Sequence, residues 1–230
     1  MSVSLAIATY NRSAVLAKSL ARLAELTVPD EIVIVDDGSA DDTEAVCVSF
    51  ADRLPIRYVF NNRPSVENCC QARNCALRLV SYDDLIVSEP ELLFDTDVIA
   101  QFVQARQENP DSVLCAEYCW GERYEGADEY DLLPGGYVNC YRREWLMSIQ
   151  GWDEALPAPT GYDDNDIHAR LVFAGHPQVK WPGVIATHQW HYDNTPEQVT
   201  DNENRLIVEA KVFPQDLVAN QNREWGVLLP

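Results

Sequence analysis

Carboxylates, histidines and one arginine fall in short, spaced groups along this chain, and each group suits a particular chemistry. Gly161-Tyr162-Asp163-Asp164-Asn165-Asp166-Ile167 opens a stretch, Asp164–Phe173, that reads as a helix and stops at Gly175. A helix N-terminus favours an ionised carboxylate, the form a general base needs, although the same aspartates would also serve simply as caps. Glu89-Pro90-Glu91 and Asp95-Thr96-Asp97 are two pairs of hard oxygen ligands that suit Mg²⁺ or Mn²⁺. Thr187-His188-Gln189-Trp190-His191 follows a short apolar run, and imidazole suits Mn²⁺ better than Mg²⁺; a lone histidine is ordinarily polar surface. Near the N-terminus, Ala8-Thr9-Tyr10-Asn11-Arg12 and Val35-Asp36-Asp37-Gly38-Ser39 each close an apolar run. Two such clusters side by side can read a base and a ribose by directional hydrogen bonds and stacking. Asp-Asp-Gly-Ser taken alone is equally a turn and a helix cap.

These groups must be positioned by the elements between them. Ser4–Ala8, Glu31–Val35, Ile56–Phe60, Leu85–Val87 and Ser112–Tyr118 read as strands. Helical spacing of apolar residues marks Ser13–Leu26, Asp41–Arg53, Val66–Val80 and Val98–Gln107. The alternation implies βαβ units, a mainly parallel Rossmann-like sheet flanked by helices, and ligands at the carboxyl ends of the strands. Ala116–Leu133 is acidic and aromatic and reads as a loop, followed by a turn at Pro134-Gly135-Gly136 and a helix near Arg143–Ile149. Residues 1–110, which hold both polar clusters, are expected to form a nucleotide-binding half, and 111–191 a second half of different texture. The polar stretch after Tyr192, residues 192–230, is expected to be a lid, an arm or a partly ordered extension.

Composition bounds the function classes. The chain has 230 residues, 47% hydrophobic and 23% charged, which suits a folded globular domain. Its formal charge of −20 argues against unaided binding to duplex nucleic acid and requires local cations or a metal ion to meet an anionic ligand. No stretch matches a membrane span or a signal peptide, and the seven cysteines, none in C-x-x-C spacing, read as buried free thiols of a cytoplasmic protein. Neither G-x-G-x-x-G nor G-x-x-x-x-G-K-[ST] occurs, which argues against a dinucleotide oxidoreductase or a P-loop enzyme.

Taken in order, these motifs resemble family 2 glycosyltransferases of the GT-A fold over roughly residues 3–191. The opening strand ending in Thr-Tyr-Asn-Arg, the V-D-D-G-S run, Ala72-Arg73-Asn74 with Ala76-Leu77, Gly151-Trp152-Asp153-Glu154 and the Gly161–Ile167 segment with Arg170-Leu171 carry the resemblance. It implies that Thr9, Tyr10, Arg12, Asp36 and Asp37 hold the nucleotide and that Arg73 approaches the donor; an incidental core arginine is the alternative for Arg73. It implies a D-x-D metal motif, and spacing from Asn74 places it at Glu89/Glu91 as an E-x-E variant, leaving Asp95/Asp97 to cap the next helix. His188 or His191, with His188 ahead, would complete the shell of Mn²⁺ or Mg²⁺. Asp164, with Asp163 beside it, would be the base of an inverting transfer from a nucleotide diphosphate sugar, UDP-linked, to the hydroxyl of an unidentified acceptor. Trp120, Trp152 and Trp190 are candidate sugar-stacking residues or core. Leu93–Val98 also resembles the D-x-D-x-[TV] motif of haloacid-dehalogenase-like phosphatases, but there the motif ends the first strand near the start of the fold and here several strands precede it. A nucleotidyltransferase would carry a glycine-rich basic loop where this chain has Tyr10-Asn11-Arg12-Ser13. A non-catalytic nucleotide-sugar or glycan-binding module is the reading from a different class, favoured by the E-x-E change.

Overall fold

A computed structural model describes residues 1–63, 69–121, 131–134, 138–157, 161–191 and 203–229. In chain order these form β1 (Val3–Thr9), α1 (Ser13–Leu23), β2 (Glu31–Asp36), α2 (Thr43–Ser49), β3 (Ile56–Phe60), α3 (Cys70–Leu79), β4 (Asp84–Ser88) and β5 (Leu92–Phe94). There follow α4 (Val98–Glu108), β6 (Val113–Gly121), β7 (Asp131–Pro134), β8 (Val138–Arg142), α5 (Arg143–Ser148), α6 (Asp163–Phe173), β9 (Gln178–His188) and α7 (Glu203–Glu209).

One sheet runs β3-β2-β1-β4-β8-β6-β9-β5, with β7 added at β6. Its first four strands are parallel, whereas β8 runs antiparallel to both β4 and β6, and β5 antiparallel to β9. The parallel strands are short apolar runs because both faces are covered. Leu5, Ile7, Ile32, Ile34 and Ile86 pack toward Leu16 and Leu20 of α1 and Phe102 of α4. The alternate residues Ala6, Val33, Val35 and Leu85 pack toward Ala76 and Leu77 of α3 and Ile167 and Leu171 of α6. Each fully buried Leu or Ile is worth about 1.5–3 kcal/mol. Chain order reverses beside β1, so the crevice for a ligand opens beyond the carboxyl ends of β1, β2 and β4.

Several expected elements differ. The expected loop Ala116–Leu133 contains the end of β6 and the start of β7, because pairing with β9 and β7 overrides its acidic, aromatic composition. The expected Ser13–Leu26 helix ends at Leu23, and Asp41–Arg53 contracts to Thr43–Ser49, where turn-forming bonds replace the helical ones. β5, β8 and β9 were not expected as strands, and each is held by its neighbours in the sheet. Of the expected Val66–Val80 helix, Cys70–Leu79 is helical, and Val66, like Gly135-Gly136 of the expected turn, lies outside the described residues.

The Gly151–Glu154 stretch is clamped between α3 and α6. Asn74 of α3 donates from Nδ2 to the Trp152 carbonyl (2.8 Å) and to Glu154 (2.9 Å), and accepts from the Trp152 N–H (2.8 Å). Arg170 of α6, fully buried, pairs with Asp166 and donates to the carbonyls of Ile149 and Gly151. The close approach requires glycine at 151: its φ is +67°, and a Cβ would sit 2.1 Å from Asn74 Oδ1. Residues 203–229 then close over both halves. Asn204 donates to the Gly161 carbonyl, Lys211 pairs with Asp153 and Asp166, Arg78 donates to the Trp225 carbonyl, and the Leu229 N–H reaches Asn61 Oδ1. Residues 192–202 of the expected extension lie outside the described residues.

Gly151→Ala is expected to destabilise the fold by about 2 kcal/mol or more through left-handed backbone strain and the clash with Asn74. Thermal denaturation should show this as a loss of about 4–8 °C in Tm; an unchanged Tm would mean that the clamp is not rigid.

Candidate active site

The ends of β1 and β2 are tied to each other before any ligand is considered. The Asp37 N–H donates to the Thr9 carbonyl (2.8 Å), the Asn11 N–H to Ser39 Oγ (2.7 Å), and the Ala40 N–H to Asn11 Oδ1 (2.8 Å). Asp36 turns inward, accepting from the Ser39 N–H and the Tyr58 hydroxyl. Asp37 is buried, accepts from Asn61 Nδ2 at 2.7 Å and pairs with Arg63 at 3.1 Å. Burial raises its pKa against the pull of Arg63 and Asn61. Gly38 turns the chain here with φ +92°; a Cβ would approach the Arg63 carbonyl to 2.8 Å. Tyr10 stands exposed at the rim, and Thr9 Oγ1 is buried with no hydrogen-bond partner among the described residues. Arg12 precedes the first turn of α1 and its carbonyl accepts from the Leu16 N–H.

A second group forms around Arg73, which α3 projects from the buried side of the sheet. Its guanidinium pairs with Glu89, just after β4, and with Asp163 at the start of α6, and lies 3.6 Å from Asp164. Burial opposes the charge on Arg73, but Cys69, Glu89, Asp163 and Asp164 hold its pKa well above the usual value. Asp163 and Asp164, in the first turn of α6, both lie beside the guanidinium. Burial, with Asp163 and Glu89 adding negative charge, raises the pKa of Asp164 to about 8 in spite of Arg73, opposite to the pull of the helix terminus. Glu89 is likewise raised, by burial first, against Arg73 and with Glu91 and Asp163 adding to it.

The third group is Glu91, His188 and His191, whose ligand atoms all lie within 4.8 Å of one another. Register brings them together: β5 pairs antiparallel with β9, setting Leu92 opposite His188. Gln189 locks the join, its N–H donating to the Glu91 carbonyl and its buried amide to Glu91, Val15 and Ser19. His188 Nε2 stands 3.3 Å and His191 Nε2 3.4 Å from Glu91 Oε1. Burial would raise Glu91, yet the two imidazoles hold it far below the usual carboxylate range, and Glu91 in turn raises His188. Both ring nitrogens of His191 are buried without a hydrogen-bond partner among the described residues, which fits a role as a metal ligand. Asp97 accepts from the Ala100 N–H as the cap of α4, and Asp95 accepts from Thr187.

Comparison with known proteins shows the family and the fold. The model of glycosyl transferase family 2 matches residues 4–135, more than half of the chain. The chain belongs to glycosyl transferase family 2. This family 2 chain is 42% identical to validoxylamine A glucosyltransferase of Streptomyces hygroscopicus subsp. limoneus over 45% of its length and 22% of that protein. It is 28% identical to chondroitin synthase of Pasteurella multocida over 93% of its length and 27% of that protein. The chain thus spans about a quarter of the length of these curated relatives. Among solved structures, TarS of S. aureus in complex with UDP superposes with TM-score 0.66 at 16% identity, covering 86% of this chain and 62% of that one. Mannosyltransferase PcManGT from Pyrobaculum calidifontis, in complex with GDP-Man and Mn²⁺, gives 0.64 at 19% identity, covering 80% and 56%. The fold of this family 2 member is GT-A.

Within this family 2 site, Arg73 unites Glu89, Asp163 and Asp164, while Glu91 is grouped with the histidines instead. Trp152 is fully buried beside Tyr141 and Arg73, which removes it as a sugar platform; Trp190 is partly buried, and the side chain of Trp120 lies outside the described residues. Asn61 and Arg63 were not singled out by their sequence, whereas Asn74 entered with the Ala72-Arg73-Asn74 motif and Gln189 only as a member of the run between two histidines.

His168, on the same helix as Asp164, bonds the Tyr141 hydroxyl at 2.8 Å, and burial lowers its pKa to about 4. The unfolded chain therefore binds a proton here before the folded one does, so stability is full above the unfolded value of about 6.5 and falls as pH drops toward 4. His168→Gln is expected to remove about 1–2 kcal/mol of the stability loss between pH 7 and 5, read by urea denaturation. An identical pH dependence in the variant would contradict a buried neutral imidazole.

Proposed function

We propose that this chain carries a glycosyltransferase site that moves a sugar from a nucleotide diphosphate donor to an acceptor hydroxyl with inversion at the anomeric carbon. The observation that carries the reading is the convergence, at the carboxyl ends of the sheet, of Asp164 beside Arg73 and Glu89 with the neighbouring Glu91–His188–His191 group. Thr9, Tyr10 and Asp37, with Arg12 and Asp36 beside them, line the place for the nucleoside. A UDP-linked donor is the first choice, supported by the UDP bound in TarS.

Glu91, His188 and His191 would hold a divalent ion, with Glu89 alongside. Two imidazoles and a carboxylate favour Mn²⁺ over Mg²⁺, and Mn²⁺ is the ion in the PcManGT complex. When bound, the ion neutralises the diphosphate and its developing charge as a leaving group. Asp164 takes the proton of the acceptor hydroxyl, and that oxygen forms its bond to the anomeric carbon as the bond to the diphosphate oxygen breaks. Arg73 holds Asp163 and Asp164 in position and balances their charge. A pKa of about 8 suits a base that must accept a proton near neutral pH.

Asp164→Asn is expected to lower kcat by about 10²-fold or more while donor affinity stays within a few-fold. In the parent protein kcat/KM should fall as pH drops through the Asp164 value, about 8, and this limb should vanish in the variant. Turnover close to that of the parent would remove Asp164 from the base role, and donor binding with neither transfer nor hydrolysis would favour a binding module. His188→Ala and His191→Ala are each expected to raise the Mn²⁺ concentration for half-maximal activity by about tenfold or more; no change would move the ion elsewhere.

A further inference from the structure

One more group of metal-binding side chains lies against the same guanidinium. Cys69 and Cys70, at the start of α3, and Asp163, at the start of α6, bring two sulfurs and a carboxylate oxygen within 4.8 Å of one another. Cys69 Sγ stands 3.6 Å from Asp163 Oδ2. In a tetrahedral zinc centre, a Zn–S arm of about 2.3 Å and a Zn–O arm of about 2.0 Å set sulfur and oxygen about 3.5 Å apart. This edge of the tetrahedron therefore has the right length before any ion arrives. Neither sulfur is in a disulfide, Cys70 and Asp163 are buried, and Cys69 is partly exposed, which gives an ion a way in. The donor set differs in kind from the carboxylate and imidazoles of Glu91, His188 and His191: thiolates select thiophilic ions such as Zn²⁺.

We infer that Cys69, Cys70 and Asp163 form a second cation site, specific for a thiophilic divalent ion of the Zn²⁺ class, and that filling it draws Asp163 away from Arg73. Each sulfur binds as a thiolate, so two protons pass to solvent for each ion taken up. Two thiolates and one carboxylate leave the occupied site with one surplus negative charge, which the Arg73 guanidinium faces. The fourth position is open to water. Because Asp163 is shared between this site and the Arg73 group, occupation disturbs the setting of Asp164. That consequence rests on the transferase reading above, whereas the binding site itself does not.

Co²⁺ reports such a site directly, since thiolate ligation gives an intense near-ultraviolet charge-transfer band that imidazole and carboxylate ligands do not. In a His188→Ala/His191→Ala protein, titration is expected to raise this band to saturation at one Co²⁺ per chain, and Zn²⁺ should abolish it. Adding the near-isosteric Cys69→Ser and Cys70→Ser changes should remove the band from a protein whose circular dichroism and Tm are unchanged. No band in the folded protein, or an equal band in the serine variant, would overturn the site. With Mn²⁺ supporting turnover, Zn²⁺ should inhibit, and the serine variant should need about tenfold more of it or greater; equal inhibition would overturn the competition for Asp163. A protein without turnover would defeat the transferase reading and leave the cobalt band to decide the site.

Discussion

A buried guanidinium shared among carboxylates from distant parts of the chain is the constraint on which this active site depends. Arg73 arrives on α3, Glu89 after β4, and Asp163 and Asp164 on α6. Removing such a charge from water is costly unless it is paired, and leaving any one partner behind costs several kcal/mol. One cation for three carboxylates leaves the group with surplus negative charge, and burial with that surplus is what raises Glu89 and Asp164. The site is therefore set up for a cationic visitor on one side and a proton on the other. Glu91 lies two residues from Glu89 but is governed differently, because two imidazoles face it.

The rest of the fold keeps these partners in register. Asn74, the neighbour of Arg73 in sequence, grips the Trp152 backbone, and Arg170 grips the carbonyls before it, so α3 and α6 cannot move apart without breaking buried hydrogen bonds. The C-terminal segment reinforces the same contact, with Lys211 on Asp166 and Leu229 on Asn61, the residue that holds Asp37. The strand ends around Asp37 and the start of α6 are thus joined through the end of the chain as well as through the sheet. Among the described residues no helix is long and apolar enough to cross a membrane.

Much of this was legible in the sequence, for identifiable reasons. The four parallel strands are apolar runs closed by polar clusters, and the helices between them keep their apolar spacing, so element order and the location of the site at the strand ends follow from periodicity. β5 and β8 were hidden because Leu92–Phe94 is only three residues long and Val138–Arg142 owes its strand geometry to antiparallel neighbours. The end of β6 was hidden by a composition that favours loops. Within the candidate site, residue types and their order drew attention to these side chains, but their partners are tertiary. Nothing local shows that Glu89 faces Arg73 while Glu91 faces histidines almost a hundred residues later. At Asp164 the helix terminus is visible in sequence, whereas burial beside Asp163, which pulls its pKa the other way, is not. Cys69 and Cys70 read in sequence as buried thiols without zinc-ligand spacing, because Asp163, which stands beside them, comes from another helix.

The most direct measurement is calorimetric titration of UDP into the protein with Mn²⁺ and again with EDTA. The account predicts one site per chain whose affinity falls by about tenfold or more when the ion is removed, a loss of about 1.4 kcal/mol or greater. Equal affinity in the two titrations, or no binding of any nucleoside diphosphate in the presence of Mn²⁺, would contradict a metal-assisted diphosphate site built on Glu91, His188 and His191.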